Sequence, residues 1–268
     1  MPPRKAYKNS KRFEKSVKAI VLEELKEELE EKHCITEYSN VPLLPSIPAG
    51  VVLNGQGNFF KLMPEVFQST TGSAGSAYNE RIGNEIKLRE LSINAFLNFG
   101  PAAVTGVDYK NSKIAVRVMI LKAKQINDQE ILFDNMPTDT LIRFGQQSTG
   151  AGGPIPYTGL PLDSFREINR DTFAVRYDKV HYLNAPTLLQ GTTDVTTSNI
   201  PTGLKMFKHK LTFGQRGLKL KYSSSADTEP NNFPYFMVIG YSSLSQNAVP
   251  SNNIVQATLS VNGKFTDA

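Results

Sequence analysis

From Arg81 to the C-terminus, apolar and polar residues alternate with a period of two, the pattern of half-buried β-strands. Ile86 and Leu88 share one phase, while Leu91, Ile93, Ala95 and Leu97 share the opposite one. The change of phase predicts a β-bulge near Arg89–Glu90. Residues 113–124 are almost continuously apolar, which predicts a central strand covered on both faces. Phe173, Val175 and Tyr177 alternate with Ala174, Arg176 and Asp178. Phe207, His209, Leu211 and Phe213 alternate with Lys208, Lys210 and Thr212, and Leu218, Leu220 and Tyr222 alternate with Lys219 and Lys221. Residues 235–241 read as another buried strand, and Ala257, Leu259 and Val261 as a last one. Long Gly/Pro/Ser/Thr-rich loops at 99–111, 145–161, 184–203, 223–234 and 242–253 separate these runs. At least seven strands and almost no helical periodicity after residue 35 predict an all-β sandwich.

The N-terminal third reads differently. Residues 1–10 are polar, and residues 11–32 contain neither Gly nor Pro. Val17, Ile20, Val21, Leu22, Leu25 and Leu29 form an apolar stripe at helical spacing. Glu14 with Lys18 and Glu28 with Lys32 add favourable pairs one turn apart, so the spacing predicts an amphipathic helix over 11–32. Its start is basic and its end acidic, against the helix dipole, so the helix calls for a partner. Copies bundled about a symmetry axis and packing under the chain's own sheet both meet that need. Residues 40–58, with three prolines and three glycines, read as a linker or extended segment, and 68–79 as a low-complexity loop. The sequence thus divides into a basic arm and helix (1–35), a linker (36–80) and a shell-like β-domain (81–268).

Charge sharpens this division. Residues 1–18 carry seven basic groups (Arg4, Lys5, Lys8, Lys11, Arg12, Lys15 and Lys18) against Glu14, a net charge of +6. Residues 19–32 carry −4 and the remaining 236 residues +3. A cationic leader of this kind points to a polyanion, with a solvated tail as the alternative. Lys208, Lys210, Lys219 and Lys221 alternate along two strands and form a second candidate basic patch, to which Lys87 and Arg89 can add. An ordinary wet strand face is the competing reading.

Signs of catalysis are weak. The three histidines are His33, His181 and His209, and the last falls on an apolar strand face, where a core role suits it. His33 and Cys34 are adjacent, which does not set a nucleophile against its base. The glycines of 145–153 lack the Lys-Ser/Thr of a phosphate loop. Neither metal-ligand spacing nor a cofactor motif appears. The single cysteine excludes an internal disulfide and suits a reducing compartment. No run reaches the length of a membrane span, and the charged N-terminus does not read as a secretory signal.

The order of segments resembles the capsid proteins of small circular single-stranded DNA viruses, the group that includes circoviruses and geminiviruses. Arg81-Ile82-Gly83-Asn84-Glu85-Ile86 resembles the opening of that family's first core strand. Arg170, Phe173, Val175, Asp178 and Lys179 match a second segment, Asn232 to Ile239 a third, and Gly263-Lys264-Phe265-Thr266-Asp267 the terminal strand. The likeness runs over about residues 80–267 and lies in the ordered set. The arm is less Arg-rich than in circoviruses, and an acidic helix follows it. The resemblance implies a single eight-stranded jelly roll, a closed shell of sixty copies and no enzymatic activity. It also implies single-stranded DNA as partner, with the virion and, during assembly, the host nucleus as location. A capsid protein of a small RNA or satellite virus and a lectin-like β-sandwich binding module are the two alternatives. The host receptor is not legible.

Overall fold

The computed structural model describes residues 13–18, 20, 31–47, 58–68, 80–99, 111–128, 132, 137–145, 152–184 and 203–267. Among these residues thirteen strands occur in the order β1 (Lys32–Pro42), β2 (Phe59–Lys61), β3 (Phe67–Gln68), β4 (Glu80–Arg81), β5 (Glu85–Phe99), β6 (Lys113–Ala123), β7 (Ile142–Arg143), β8 (Pro154–Ile155), β9 (Phe173–Asn184), β10 (Leu204–Thr212), β11 (Leu218–Lys221), β12 (Tyr235–Ser243) and β13 (Val255–Asp267). One sheet runs β1-β13-β5-β10, with β11 also on β5, and the other runs β2-β12-β6-β9.

The pairing is nested. β1 pairs with β13, β2 with β12, β5 with β10 and β6 with β9, all antiparallel. Each pair encloses the next in sequence, as if one long hairpin were wrapped into two layers, which is the jelly-roll arrangement. The all-β sandwich expected from the alternation is therefore present.

The two layers meet in a core of residues such as Ile86, Leu91, Ile93, Val116, Val118, Ile120, Met237, Ile239, Leu259 and Phe265, all essentially buried. Tyr38 of β1 meets Phe60 of β2 edge to face at 5.2 Å and closes one edge of the sandwich. At the other edge, Tyr177 of β9 stacks on Phe207 of β10 at 6.1 Å.

The bulge expected near Arg89–Glu90 is present. Lys264 opposes Glu90 while Phe265 opposes Leu88, so Arg89 is the extra residue of β5. The other neighbour changes at the same place. β10 ends opposite Glu90 and β11 begins opposite Leu88. The chain leaves the sheet between them through Gly214 and Gly217, both at positive φ. A Cβ at Gly217 would meet the Leu88 carbonyl oxygen at 3.0 Å, so a side chain there is doubly unfavourable.

Lys32–Pro42 is a strand of the sheet rather than a helix end followed by a linker. Its inward positions are Cys34, Thr36 and Tyr38, too weakly apolar to register as an alternating run, and its partner β13 is more than two hundred residues away. Residues 13–18 and 20 are helical, with Phe13, Val17 and Ile20 exposed; residues 11, 12, 19 and 21–30 of the expected helix lie outside the described residues, and at its end Glu31 is not helical and Lys32 begins β1. Within the segment read as a linker, Leu43, Ile47, Leu62, Met63 and Val66 are fully buried, so this stretch belongs to the sandwich. Its prolines and glycines remove the periodicity without removing the burial.

The outer faces of the two sheets differ. The connection from β6 to β9 folds back over its own sheet, where Leu132, Leu141, Ile142, Tyr157 and Ile168 pack on Met119, Leu121, Phe236 and Val238 in a second core. β6 and β12 are consequently buried on both sides, as the apolar run at 113–124 predicted. Gly240 of β12 lies flat against the Tyr157 ring, where a Cβ would come within 2.7 Å. Gly240→Val is expected to displace Tyr157 and cost about 1–3 kcal/mol. Chemical denaturation of the unassembled chain would show it, and an unchanged midpoint would contradict the packing.

Two histidines sit at the β9–β10 edge. His209 packs on Tyr177 at 4.6 Å, and its Nε2 is buried without a hydrogen-bond partner among the described residues. His181 stacks on Phe207 at 5.4 Å, with the Tyr177 hydroxyl 3.3 Å from its Nε2. Burial lowers both imidazole pKa values, and Lys205 and Lys179 lower that of His181 further. The unfolded chain then binds protons that the folded chain does not. Stability is full above the unfolded histidine pKa of about 6.5 and falls as pH drops from there through the folded values. The denaturation midpoint is expected to decline from pH 7 to pH 5, and less steeply in His209→Phe.

Candidate nucleic-acid interface

The sheet containing β5 has an outer face on which no second core forms among the described residues, and residues directly opposite in neighbouring strands share it. On this face Lys210 lies opposite Ser92, Lys208 opposite Asn94, Lys219 opposite Lys87 and Lys221 opposite Glu85. Both lysine-bearing strands pair with β5, so the structure brings the four predicted lysines and Lys87 onto one surface. Lys264 joins them from β13, opposite Glu90. Arg89 occupies the bulge and is half-buried. Of the arm residues, Lys15 and Lys18 are exposed on the helical stretch. Arg4, Lys5, Lys8, Lys11 and Arg12 lie outside the described residues.

Carboxylates temper this surface. Lys210 pairs with Glu90 at 2.8 Å and Lys219 with Glu85 at 2.6 Å. Glu85 is held below the usual carboxylate range by the Lys219 hydrogen bond and by the charges of Lys219, Lys221 and Lys87. Glu90 is lowered in the same way by its hydrogen bond to Lys210, with help from Ser92 and Lys264. Lys87, Lys208 and Lys221 make no ion pair with the described residues. Six lysines against Glu31, Glu37, Glu85 and Glu90 leave this face with a modest surplus of positive charge.

The arm joins the fold at the same end. Lys32 Nζ donates to Asp267 Oδ2 at 2.7 Å and to the Glu80 carbonyl at 3.0 Å, which pins the start of β1 beside the end of β13. Glu31, the residue before it, pairs with Lys264 at 3.1 Å. The start of β1 therefore lies next to the cross-strand row of Thr266, Lys87 and Lys219, with Glu31 on Lys264; most of the cationic leader precedes it outside the described residues.

Two buried arginines behave differently, and charge patterning alone did not single them out as structural. Arg81 is fully buried over the Tyr222 ring at 4.2 Å. It donates to the carbonyls of Gly83, Ser224 and Asp227 and ties the start of β5 to the loop after β11. Arg117 on β6 makes a two-pronged pair with Asp178 of β9, at 2.8 and 2.6 Å. It also donates to the carbonyls of Asp163 at 2.6 Å and Arg166 at 2.7 Å, fastening the covering connection to the sheet. Asp163, buried in turn, accepts from the Thr158 amide at 2.6 Å and the Gly159 amide at 3.0 Å. Arg81 and Asp178 are both among the residues of the family likeness, which was the available signal. Both guanidinium groups hold loops through backbone carbonyls, and among the described residues only Arg81 Nε of the two is left without a partner.

Among the described residues, no group of three or more His, Cys, Asp or Glu side chains could hold a metal ion, and no helix is long and apolar enough to cross a membrane. No protein-family model and no curated protein matches the chain. Among solved structures it is similar to the heat-treated full particle of Israeli acute paralysis virus, at 11% identity and a TM-score of 0.32, over 87% of this chain and 68% of that one. A pentamer crystal structure of the same virus is similar at 11% identity and a TM-score of 0.31, over 87% and 67% of the two chains.

Proposed function

We propose that the chain is the capsid protein of a small virus: a jelly roll that assembles with copies of itself into a closed shell and holds a single-stranded genome. The observation that carries this reading is the jelly-roll sandwich itself, one of whose sheets gathers five predicted lysines and Lys264 on its outer face while the other is capped by the β6–β9 connection; in the sequence a cationic leader precedes β1. Lysines and arginines of both regions would bind phosphates by releasing counterions, independent of base sequence. Sixty arms of +6 would contribute on the order of 360 positive charges, enough for a few hundred nucleotides. The lysine face supplies part of the remainder. The role is structural rather than catalytic. The family likeness read in the sequence makes single-stranded DNA the proposed genome and the host nucleus the place of assembly, with the arm as import signal.

Electron microscopy of the expressed protein tests the proposal. Closed particles containing nucleic acid are expected; a strictly monomeric product, across a range of salt and with nucleic acid present, defeats it. The nuclease sensitivity of the co-purified nucleic acid then separates a DNA from an RNA genome.

A further inference from the structure

The sheet containing β5 carries a shallow trough of about 300 Å³ in which a base has more to contact than charge. Its walls are two neighbouring rows across the strands. One is Glu37, Ser260, Asn94 and Lys208, and the other is Thr258, Phe96 and Met206. Met206 is 64% exposed and Phe96 half-buried, so an aromatic face and a thioether form an apolar floor on a surface that is otherwise polar. Lys208 stands beside them without an ion pair among the described residues, and Lys210 is the next outward residue of β10, about 7 Å further along. The sheet's inner face accounts for Phe207 and Leu259, whereas Phe96 and Met206 belong to neither core cluster of the described residues.

We propose that this trough is a nucleotide subsite for single-stranded nucleic acid: a base stacks on Phe96 against Met206, and its phosphate lies on Lys208, with Lys210 taking the next. Asn94 and Ser260 offer an amide and a hydroxyl to the base edge, and Glu37 marks the acidic rim. The inference rests on the genome-holding reading and adds base stacking to it, which pure phosphate neutralisation lacks. Aromatic stacking tolerates any base, which suits a site that must accept a whole genome.

The chain contains no tryptophan, so Phe96→Trp places a single reporter in the trough. Full-length protein is titrated with oligothymidylate and with an abasic oligonucleotide of equal length. Oligothymidylate is expected to quench the tryptophan and the abasic strand to leave it unchanged. Phe96→Ala is expected to weaken oligothymidylate binding about tenfold, leaving the salt dependence intact. Lys208→Gln is expected to make the slope of log affinity against log salt shallower by about 0.7. Equal affinity for both strands in wild type and Phe96→Ala, with unquenched emission, overturns the subsite and leaves phosphate binding standing. Emission that oligothymidylate cannot alter because the chain's own arm fills the trough overturns it too. Failure of the wild type to bind either strand overturns the genome-holding reading, and this inference with it.

Discussion

Asp178→Ala is expected to destabilise the unassembled protein by about 3–5 kcal/mol, the largest single effect on folding that the structure suggests. The reason lies in Arg117, whose side chain is only 3% exposed. Its guanidinium is compensated by a two-pronged carboxylate and two carbonyls, all of which come from β9 or from the connection that precedes it. Without the carboxylate, a full charge remains in an apolar site that water reaches poorly. Arg117→Met removes the charge along with its bonds and fills much of the space, so the double variant Arg117→Met/Asp178→Ala is expected to be more stable than Asp178→Ala alone. Urea unfolding of the three variants measures this. If the double variant is no better than the single one, the penalty comes from lost packing and not from an orphaned charge. The same pair anchors residues 163–166, so Asp178→Ala is also expected to speed proteolysis within the covering connection.

Deleting residues 1–18 is expected to abolish nucleic-acid uptake while leaving the sandwich folded. The deletion stops well short of Lys32, whose bonds to Asp267 and Glu80 fasten the start of β1. It removes seven cationic side chains. If each contacts a phosphate of a single strand, the slope of log affinity against log salt becomes shallower by about 5. The lysine face, partly neutralised by Glu85 and Glu90, would retain only weak binding. A lectin-like module would lose nothing, so an unchanged salt slope in the truncated protein rejects the role given to the arm.

Several features were legible in the sequence because they are local. The reversal of phase between Leu88 and Leu91 announces the bulge, since one inserted residue moves every later side chain to the other face. The unbroken apolar run at 113–124 announces a strand covered twice. His209 fell on an apolar face, and it packs half-buried against Tyr177 at the β9–β10 edge. β1 was harder to see. Cys34, Thr36 and Tyr38 make a weak inward face, and the glutamate-rich run before them suits a helix. The buried residues between Leu43 and Val66 escaped notice because prolines and glycines interrupt any period, although irregular chain can be buried as deeply as a strand.

The lysines show the limit most clearly. Their alternation placed Lys208 with Lys210 and Lys219 with Lys221, but only register set Lys87 opposite Lys219 and Lys221 opposite Glu85. Register also made Glu90 a partner of Lys210, reducing the patch to a modest surplus of charge.

By itself the sequence determined a layered β-fold and a cationic leader, because a period of two and a block of like charge are properties of neighbouring residues. The tertiary structure decided which sheet the β6–β9 connection caps. Alternation suits either side of a sheet equally well. The side is chosen where the connection from β6 to β9 lands, and Arg117 reaching Asp178, Asp163 and Arg166 across tens of residues holds it there.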